Sequence, residues 1–396
     1  MAAMTYSYYP PDVLPQGFRV IRGANDLLFT EDGKQYIDLL SGSGTVFLGH
    51  ANPAITRTIK EQLDTLWSTG AVPTCIASEA WTAVEAFLPT SHRLAVLYST
   101  GMEAVEFAVR VARQVTGRKG LIGFNGCMHG KSMAAARLGW PNQLATLPDF
   151  HSLPYLPEEQ EEVILEHARD LLATGSIAGV FLEPLLGSRG GHIPSRRFVE
   201  QLSSLCGEHG SLLVLDEIFT GFHRTGPVFL HHELGVTPDI LLVGKAMGSG
   251  FPVSGVVLDR RYPIQGSMLP GSTFAGNALA AAAVVATLRE MRTRDVAGTV
   301  RAIEQTVLRS LNDLGELGIA LRGKGALWVL ELPPGLSLSN IVARILRNGV
   351  VVSTTANFIR LLPAATIPQA HLTRACEVIA QACRAGSGAA AQAGSV

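Results

Sequence analysis

Cysteine is scarce in this chain of 396 residues, and the five present, Cys75, Cys127, Cys206, Cys376 and Cys383, are scattered and odd in number. No C-x-x-C spacing occurs, so a disulfide framework and a thiolate zinc or redox centre are both excluded, and free thiols in a reducing compartment are expected. An excess of one charge is also missing. The 32 Lys+Arg against 33 Asp+Glu leave a net charge of −1, which supplies no broad field to attract nucleic acid or anionic lipid. The longest apolar stretch, 278–288, falls well short of the roughly 20 residues of a membrane span. The opening MAAMTYSYYPPDVLP lacks the cationic and apolar regions of a secretory signal. These absences predict a cytoplasmic protein without nucleic-acid or membrane partners. His231-His232-Glu233 does not have the H-E-x-x-H spacing that places two ligands on one helical face, so no metal is expected. Apolar residues are what the chain has in quantity: they make up 47% against 16% charged, a balance that supports a sizeable core and predicts that most of the chain folds.

From about residue 93 the apolar runs 94–98, 120–124, 177–182, 212–215, 240–243 and 253–258 alternate with helix-period segments. That rhythm predicts an α/β fold with a mostly parallel central sheet and helices on both faces. Within 103–115, Ala104, Ala108, Val111, Ala112 and Val115 recur at helical spacing. After about residue 290 the pattern becomes that of a smaller α+β unit: a helix over 296–314, a strand over 327–332, a helix over 338–348, strands near Val350 and Ile359, and a last helix from Gln369. Near the start, Asp32-Gly33 marks a hairpin turn. The expected division is an N-terminal segment, 1–50, packing with the small domain; a large ligand-binding domain, 51–290; the small α+β domain, 291–384; and a disordered tail, 385–396, built of residues too small to form a core.

In open parallel sheets ligands bind outside the carboxyl ends of the strands. The runs IAGVFLE, SLLVLDE and PDILLVGK end there in Glu183, Asp216 and Lys245, and RLAVLYS leads into Thr100-Gly101-Met102 at the start of the amphipathic helix. Free N–H groups and the positive end of that helix suit an anion such as phosphate. A lysine, a carboxylate and a phosphate cradle on neighbouring strand ends are what pyridoxal 5′-phosphate requires. The lysine must lose its proton to form a Schiff base, and the carboxylate must keep a proton on the pyridine nitrogen so that the ring can act as an electron sink.

The segments DGKQYIDLLSGSG with LGHANPAI, STGMEAVEFAVRVARQVTGR, FNGCMHG, FLEP, VLDEIFTGF, PDILLVGKAMGSGFP, GSTFAGNALAAAA and IRLLP occur in this order. The chain thereby resembles the class III (omega) aminotransferases of the fold type I pyridoxal-phosphate superfamily, with a strong likeness to the glutamate-1-semialdehyde aminomutase branch. The resemblance covers residues from about 20 to 384 and implies Lys245 as the Schiff-base lysine, Asp216 as the partner of the pyridine nitrogen, and Gly101 and Met102 as phosphate-binding backbone. It further implies that Ile218 packs on one face of the cofactor ring, that Thr273 reaches the phosphate of the neighbouring subunit's cofactor in a homodimer, and that Arg360 pairs with a substrate carboxylate. Departures from the family pattern also stand out. Met128 occupies the place of a stacking aromatic, Met102 that of a hydroxyl residue, Leu185-Leu186-Gly187-Ser188 that of a segment with a gating glutamate, and Phe219 that of a glutamine.

For His129 two readings stay open, a ring stacked over the cofactor or a histidine satisfying a buried loop. Glu183 likewise either contacts the cofactor or pins a loop before Pro184. The 187–191 segment reads as an ordinary flexible loop, and the segments 42–46 and Trp140 are expected to line the substrate pocket. The resulting expectation is a pyridoxal-phosphate aminotransferase that moves an amino group from an amine donor to a carbonyl acceptor in a ping-pong cycle, with Lys245 doubling as the proton shuttle. An aminomutase using the same cofactor, and a non-catalytic binding protein keeping the fold, are the alternatives.

Overall fold

The computed structural model describes residues 13–14, 18–70, 72–140, 147–155, 160–263 and 272–393. Seven strands form its central sheet in the order His92–Tyr98, Ser254–Asp259, Ile240–Gly244, Leu212–Asp216, Ile177–Leu182, Gly120–Phe124 and Phe150–Leu153. Only Ser254–Asp259 runs antiparallel to its neighbours. The three central strands Ile177–Leu182, Leu212–Asp216 and Ile240–Gly244 are buried at every position, because helices cover both faces and leave no solvent side on which a polar residue could alternate. Their register sets Leu182 beside Leu215 and Asp216 beside Leu242, which brings Glu183, Asp216 and Lys245 out at one edge.

The helix Gly101–Thr116 buries Ala104, Val105, Ala108, Val109, Val111 and Ala112 against this sheet, and Val115 packs at the margin. Two further sheets have four strands each. In one, the hairpin strands Leu27–Thr30 and Gln35–Asp38 turn through Gly33 at φ +80°, and Gln35–Asp38 pairs in parallel with Val350–Val351. The other joins Ala320–Lys324, Leu327–Glu331, Phe358–Leu361 and Ser353–Thr355. Among the described residues no helix is long and apolar enough to cross a membrane.

Two segments differ from the sequence-based expectation. The last helix runs Gln369–Ala393 rather than ending near Arg384, because alanine is the strongest helix former and the residues after 384 are rich in it; 394–396 lie outside the described residues. The 187–191 segment is a packed turn, with Gly191 N–H donating to Leu186 O and Leu186 N–H to His192 O. Leu185, Leu186 and Ser188 around it are buried, so hydrogen bonding and burial, not glycine content, decide its conformation.

Candidate active site

The carboxyl edge of the central sheet opens into a cavity of about 380 Å³, lined among others by Thr45, Gly101, Met102, Met128, His129, Ile218 and Lys245. That volume lies in the usual range for a small-molecule site. A larger surface groove between the helices Cys75–Glu85 and Ala278–Thr293 gathers no comparable set of buried ionisable groups.

Lys245 follows the strand Ile240–Gly244 directly and holds φ +41°. A non-glycine residue in the left-handed region carries backbone strain that the surrounding structure must support, and such strain concentrates at functional positions. Burial pushes the Lys245 amine down to about 8, against the attraction of Glu183 and Asp216 and helped by the positive charges of Arg360 and Arg224. Asp216 is 4% exposed and accepts two hydrogen bonds, from His129 Nδ1 at 2.8 Å and from the backbone N–H of Ile218 at 3.1 Å. The loop after it is tied by Glu217, which accepts from the N–H groups of Leu230 and His231 and from the Thr220 hydroxyl, and pairs with His231 Nδ1 at 2.8 Å. Burial pushes that carboxyl up, but the His231 contacts outweigh it and hold it below the usual range.

Glu183 is buried and accepts the Met128 N–H at 2.7 Å. Burial raises its carboxyl to about 7, with Asp216 adding to the rise and His129 opposing it. It does not line the cavity; it fixes the backbone that carries Met128 and His129. At the opposite wall the helix Gly101–Thr116 begins under a capping box, in which the Thr100 hydroxyl accepts the Glu103 N–H and the Glu103 carboxylate accepts the Thr100 N–H. Its first N–H groups therefore face the cavity at the positive end of the helix dipole. Ile218 packs against both Gly101 and Gly244, where an added Cβ would stand 3.0 Å and 3.2 Å from it.

Of the residues singled out from the sequence, Lys245, Gly101, Met102, Met128, His129 and Ile218 line one cavity. Asp216 and Glu183 stand just behind it, both hydrogen-bonded to the segment that forms its floor. Arg360 does not line it. It lies on the strand Phe358–Leu361, is 8% exposed, donates to the Ser353 hydroxyl at 2.6 Å and repels the Lys245 charge. Thr273 is exposed, next to Ser272, whose hydroxyl donates to Glu103. Of the 42–46 segment Thr45 reaches the cavity, while Trp140 lies under the Arg189 guanidinium at 5.8 Å. Sequence reasoning missed Ser99 and 250–253, which also line the cavity, and marked Phe219 only as a departure from the family pattern, without a place in the site. The GSGFP motif was a signal for 250–253.

A buried carboxylate, a strained lysine with a depressed pKa and a helix N-terminus around one cavity are the groups that a fold type I pyridoxal-phosphate enzyme requires. The residues fit that cofactor. His129 Nε2 is a buried polar atom with no hydrogen-bond partner among the described residues, on the cavity wall, and the glycine at the helix start leaves the N–H groups open to a phosphate. The chain matches the aminotransferase class-III family over residues 8–383 and belongs to it. The acetylornithine aminotransferase of Methanopyrus kandleri is 30% identical over 392 residues, covering 96% of each chain. The LysW-aminoadipate semialdehyde/glutamate semialdehyde transaminase of Sulfolobus acidocaldarius is 31% identical over 378 residues, covering 92% of this chain and 94% of that protein. The structure of an ornithine aminotransferase from Toxoplasma gondii, with pyridoxal phosphate partly occupying its active site, superposes with a TM-score of 0.86 at 23% identity, covering 96% of this chain and 92% of that one; it supports the fold. The chain is thus a pyridoxal-phosphate-dependent class III aminotransferase that moves an amino group from an amine donor to a carbonyl acceptor. These relatives favour amino transfer between molecules over the aminomutase alternative.

Proposed function

We propose that Lys245, Asp216 and His129 are the working centre, and that the substrate is a carboxylate-bearing chain exchanged at its terminal amine. The observation that carries this reading is the convergence of a pKa-depressed lysine and a hydrogen-bonded Asp216–His129 pair on one cavity. When bound, pyridoxal phosphate supplies an aldehyde that takes up amines and a ring that accepts the electron pair left by a departing proton. Asp216 would hold the ring nitrogen's proton, and His129 fixes the carboxylate in place. Gly101 and Met102 would hold the phosphate through backbone N–H groups, and Ile218 and Met128 would bound the ring on its faces. Lys245 Nζ has two tasks in this reading. It would bond to the cofactor aldehyde at rest, and once released by the incoming amine it would take the proton from the substrate's amine-bearing carbon and return it. Arg360 stands behind the cavity wall rather than on it, but near enough to act on the Lys245 charge, and from there it would hold the substrate carboxylate. Support for a terminal amine comes from the relatives, whose names specify acetylornithine and semialdehyde substrates.

The division into a cofactor-binding unit over 51–290 and a smaller one over 291–384, with 1–50 joined to it, belongs to the same proposal; the pairing of Gln35–Asp38 with Val350–Val351 supports it. So does a homodimer in which Thr273 serves the neighbouring site. Thr273 is exposed beside Phe274, itself 60% exposed, and Trp67 and Val72 are similarly uncovered apolar residues. A cytoplasmic location is supported by the free cysteines.

Borohydride reduction of the loaded enzyme should attach the cofactor to Lys245, and Lys245→Ala should abolish amino transfer from acylated diamino acids to 2-oxoglutarate. Label on another lysine, or an active Lys245→Ala protein, would refute the assignment.

A further inference from the structure

Phe219 comes three positions after Asp216, is 5% exposed, and turns the face of its ring to the lysine, with Nζ 3.6 Å from the ring centroid. Two glycines from distant parts of the chain hold that ring by its edges. A Cβ on Gly187 would stand 2.4 Å from Phe219 Cδ1 and 2.6 Å from Cε1, and a Cβ on Gly44 would stand 2.6 Å from Cε2. Neither edge leaves room for a methyl group. The Gly44 carbonyl is in turn fixed by the Arg224 guanidinium at 2.8 Å, so the clamp cannot widen without breaking a buried hydrogen bond.

We propose that Phe219 is a positioning residue for Lys245: the clamped ring is the seat that fixes where Nζ stands and favours its ammonium form whenever the amine is not covalently engaged. The inference rests on the role given to Lys245 above. An aromatic face attracts a cation through its quadrupole, most strongly where water is excluded. Burial acts the other way, and the charges around the amine divide: Glu183 and Asp216 attract it, Arg360 and Arg224 repel it. The ring thus offsets part of the desolvation cost. It keeps the midpoint of the amine from falling further below the ordinary lysine value, so that the released amine can still take up a proton.

The test uses the full-length, cofactor-free protein. Brief reductive methylation with formaldehyde across a pH series, with quantification of the Lys245 peptide by mass spectrometry, gives the titration midpoint of the amine. The wild-type midpoint should lie near about 8. Phe219→Leu keeps an apolar side chain but loses the quadrupole, and the midpoint should fall by about 0.5–1.5 units. Gly187→Ala leaves every polar group in place and pushes the ring off its seat, so it should lower the midpoint too. Added to Phe219→Leu it should lower it no further, because the contact it disturbs is already gone. An ordinary core role would change thermal stability and leave the midpoint alone; unmoved midpoints in both single variants would overturn the proposal. Should Phe219→Leu fail to accumulate, Gly187→Ala alone decides the question. The assignment of Lys245 fails separately, through cofactor trapped on another lysine, an outcome that does not depend on where the midpoint lies.

Discussion

In the role proposed for it, Lys245 must be neutral to attack an aldehyde yet basic enough to take a proton, and its surroundings set that balance. With its pKa pushed down to about 8 by burial, the neutral fraction grows about tenfold per pH unit below that value and then saturates. Stopped-flow absorbance should therefore show covalent uptake of the cofactor by the cofactor-free protein accelerating up to about pH 8 and levelling off above it. Lys245→Arg retains a cation of similar length but cannot lose its proton; turnover should fall by about 10⁴-fold or more in steady-state assays. Glu183 titrates with the opposite consequence for stability. Its carboxyl is raised from 4.5 to about 7, chiefly by burial, so between those values the folded state keeps a proton that the unfolded chain has released, and stability falls as pH rises. Glu183→Gln removes that dependence. Thermal melts of the cofactor-free variant should be higher than wild type at pH 8, with the difference shrinking toward pH 4.5. Lys245 and Asp216 were legible in the sequence because each ends an apolar run that can only be a buried strand. Phe219 stood out only as a departure from the family pattern; its place under the lysine comes from Gly44 and Gly187, and no short-range pattern links those three positions.

The central strands were legible for the same reason that they are stable: burial on both faces writes a continuous apolar run into the sequence. The strands that escaped notice, Val20–Ala24, Phe150–Leu153 and Ala320–Lys324, contain exposed or half-buried residues almost throughout. Such strands are specified by backbone pairing, which leaves no side-chain signature. The helix Gly101–Thr116 shows how an element's end can matter more than its length. Its apolar stripe was readable from residue 104 onward, whereas its functional end depends on the reciprocal cap between Thr100 and Glu103. Thr100→Ala should cost about 1 kcal/mol of stability, the usual price of a lost N-cap, measurable as a lower denaturant midpoint. Because the same turn offers its N–H groups to the cavity, cofactor affinity should weaken about fivefold in parallel. A stability loss with unchanged affinity would mean that the first turn does not hold the phosphate.

At the scale of the whole molecule, one arginine connects parts of the chain that lie far apart in sequence. Arg224 is wholly buried and donates to Gly44 O at 2.8 Å, Ala326 O at 3.2 Å and Pro363 O at 2.8 Å, with its guanidinium 4.3 Å above the Phe47 ring. Sequence reading passed over it, because an arginine in a glycine-flanked turn is usually a surface residue. Burial lowers its pKa to about 9, a sign of how much solvation the fork gives up, and three carbonyls from the N-terminal segment and the C-terminal unit replace that solvation. Arg224→Met should cost about 2–4 kcal/mol: unpaired buried carbonyls cost about 1–3 kcal/mol each, and relief from burying a charge returns part of that. Arg224→Lys should recover little, since a single ammonium cannot span three acceptors. Hydrogen exchange gives the sharper expectation. In Arg224→Met the amides of 36–50 and 359–365 should exchange early while those of 177–182 and 240–244 stay protected, because the central sheet keeps its own core. The Lys245 midpoint should then shift as well, since Gly44 is one edge of the clamp on Phe219. If all these segments instead open together, the small sheets and the central sheet are one cooperative unit and Arg224 is one contact among many.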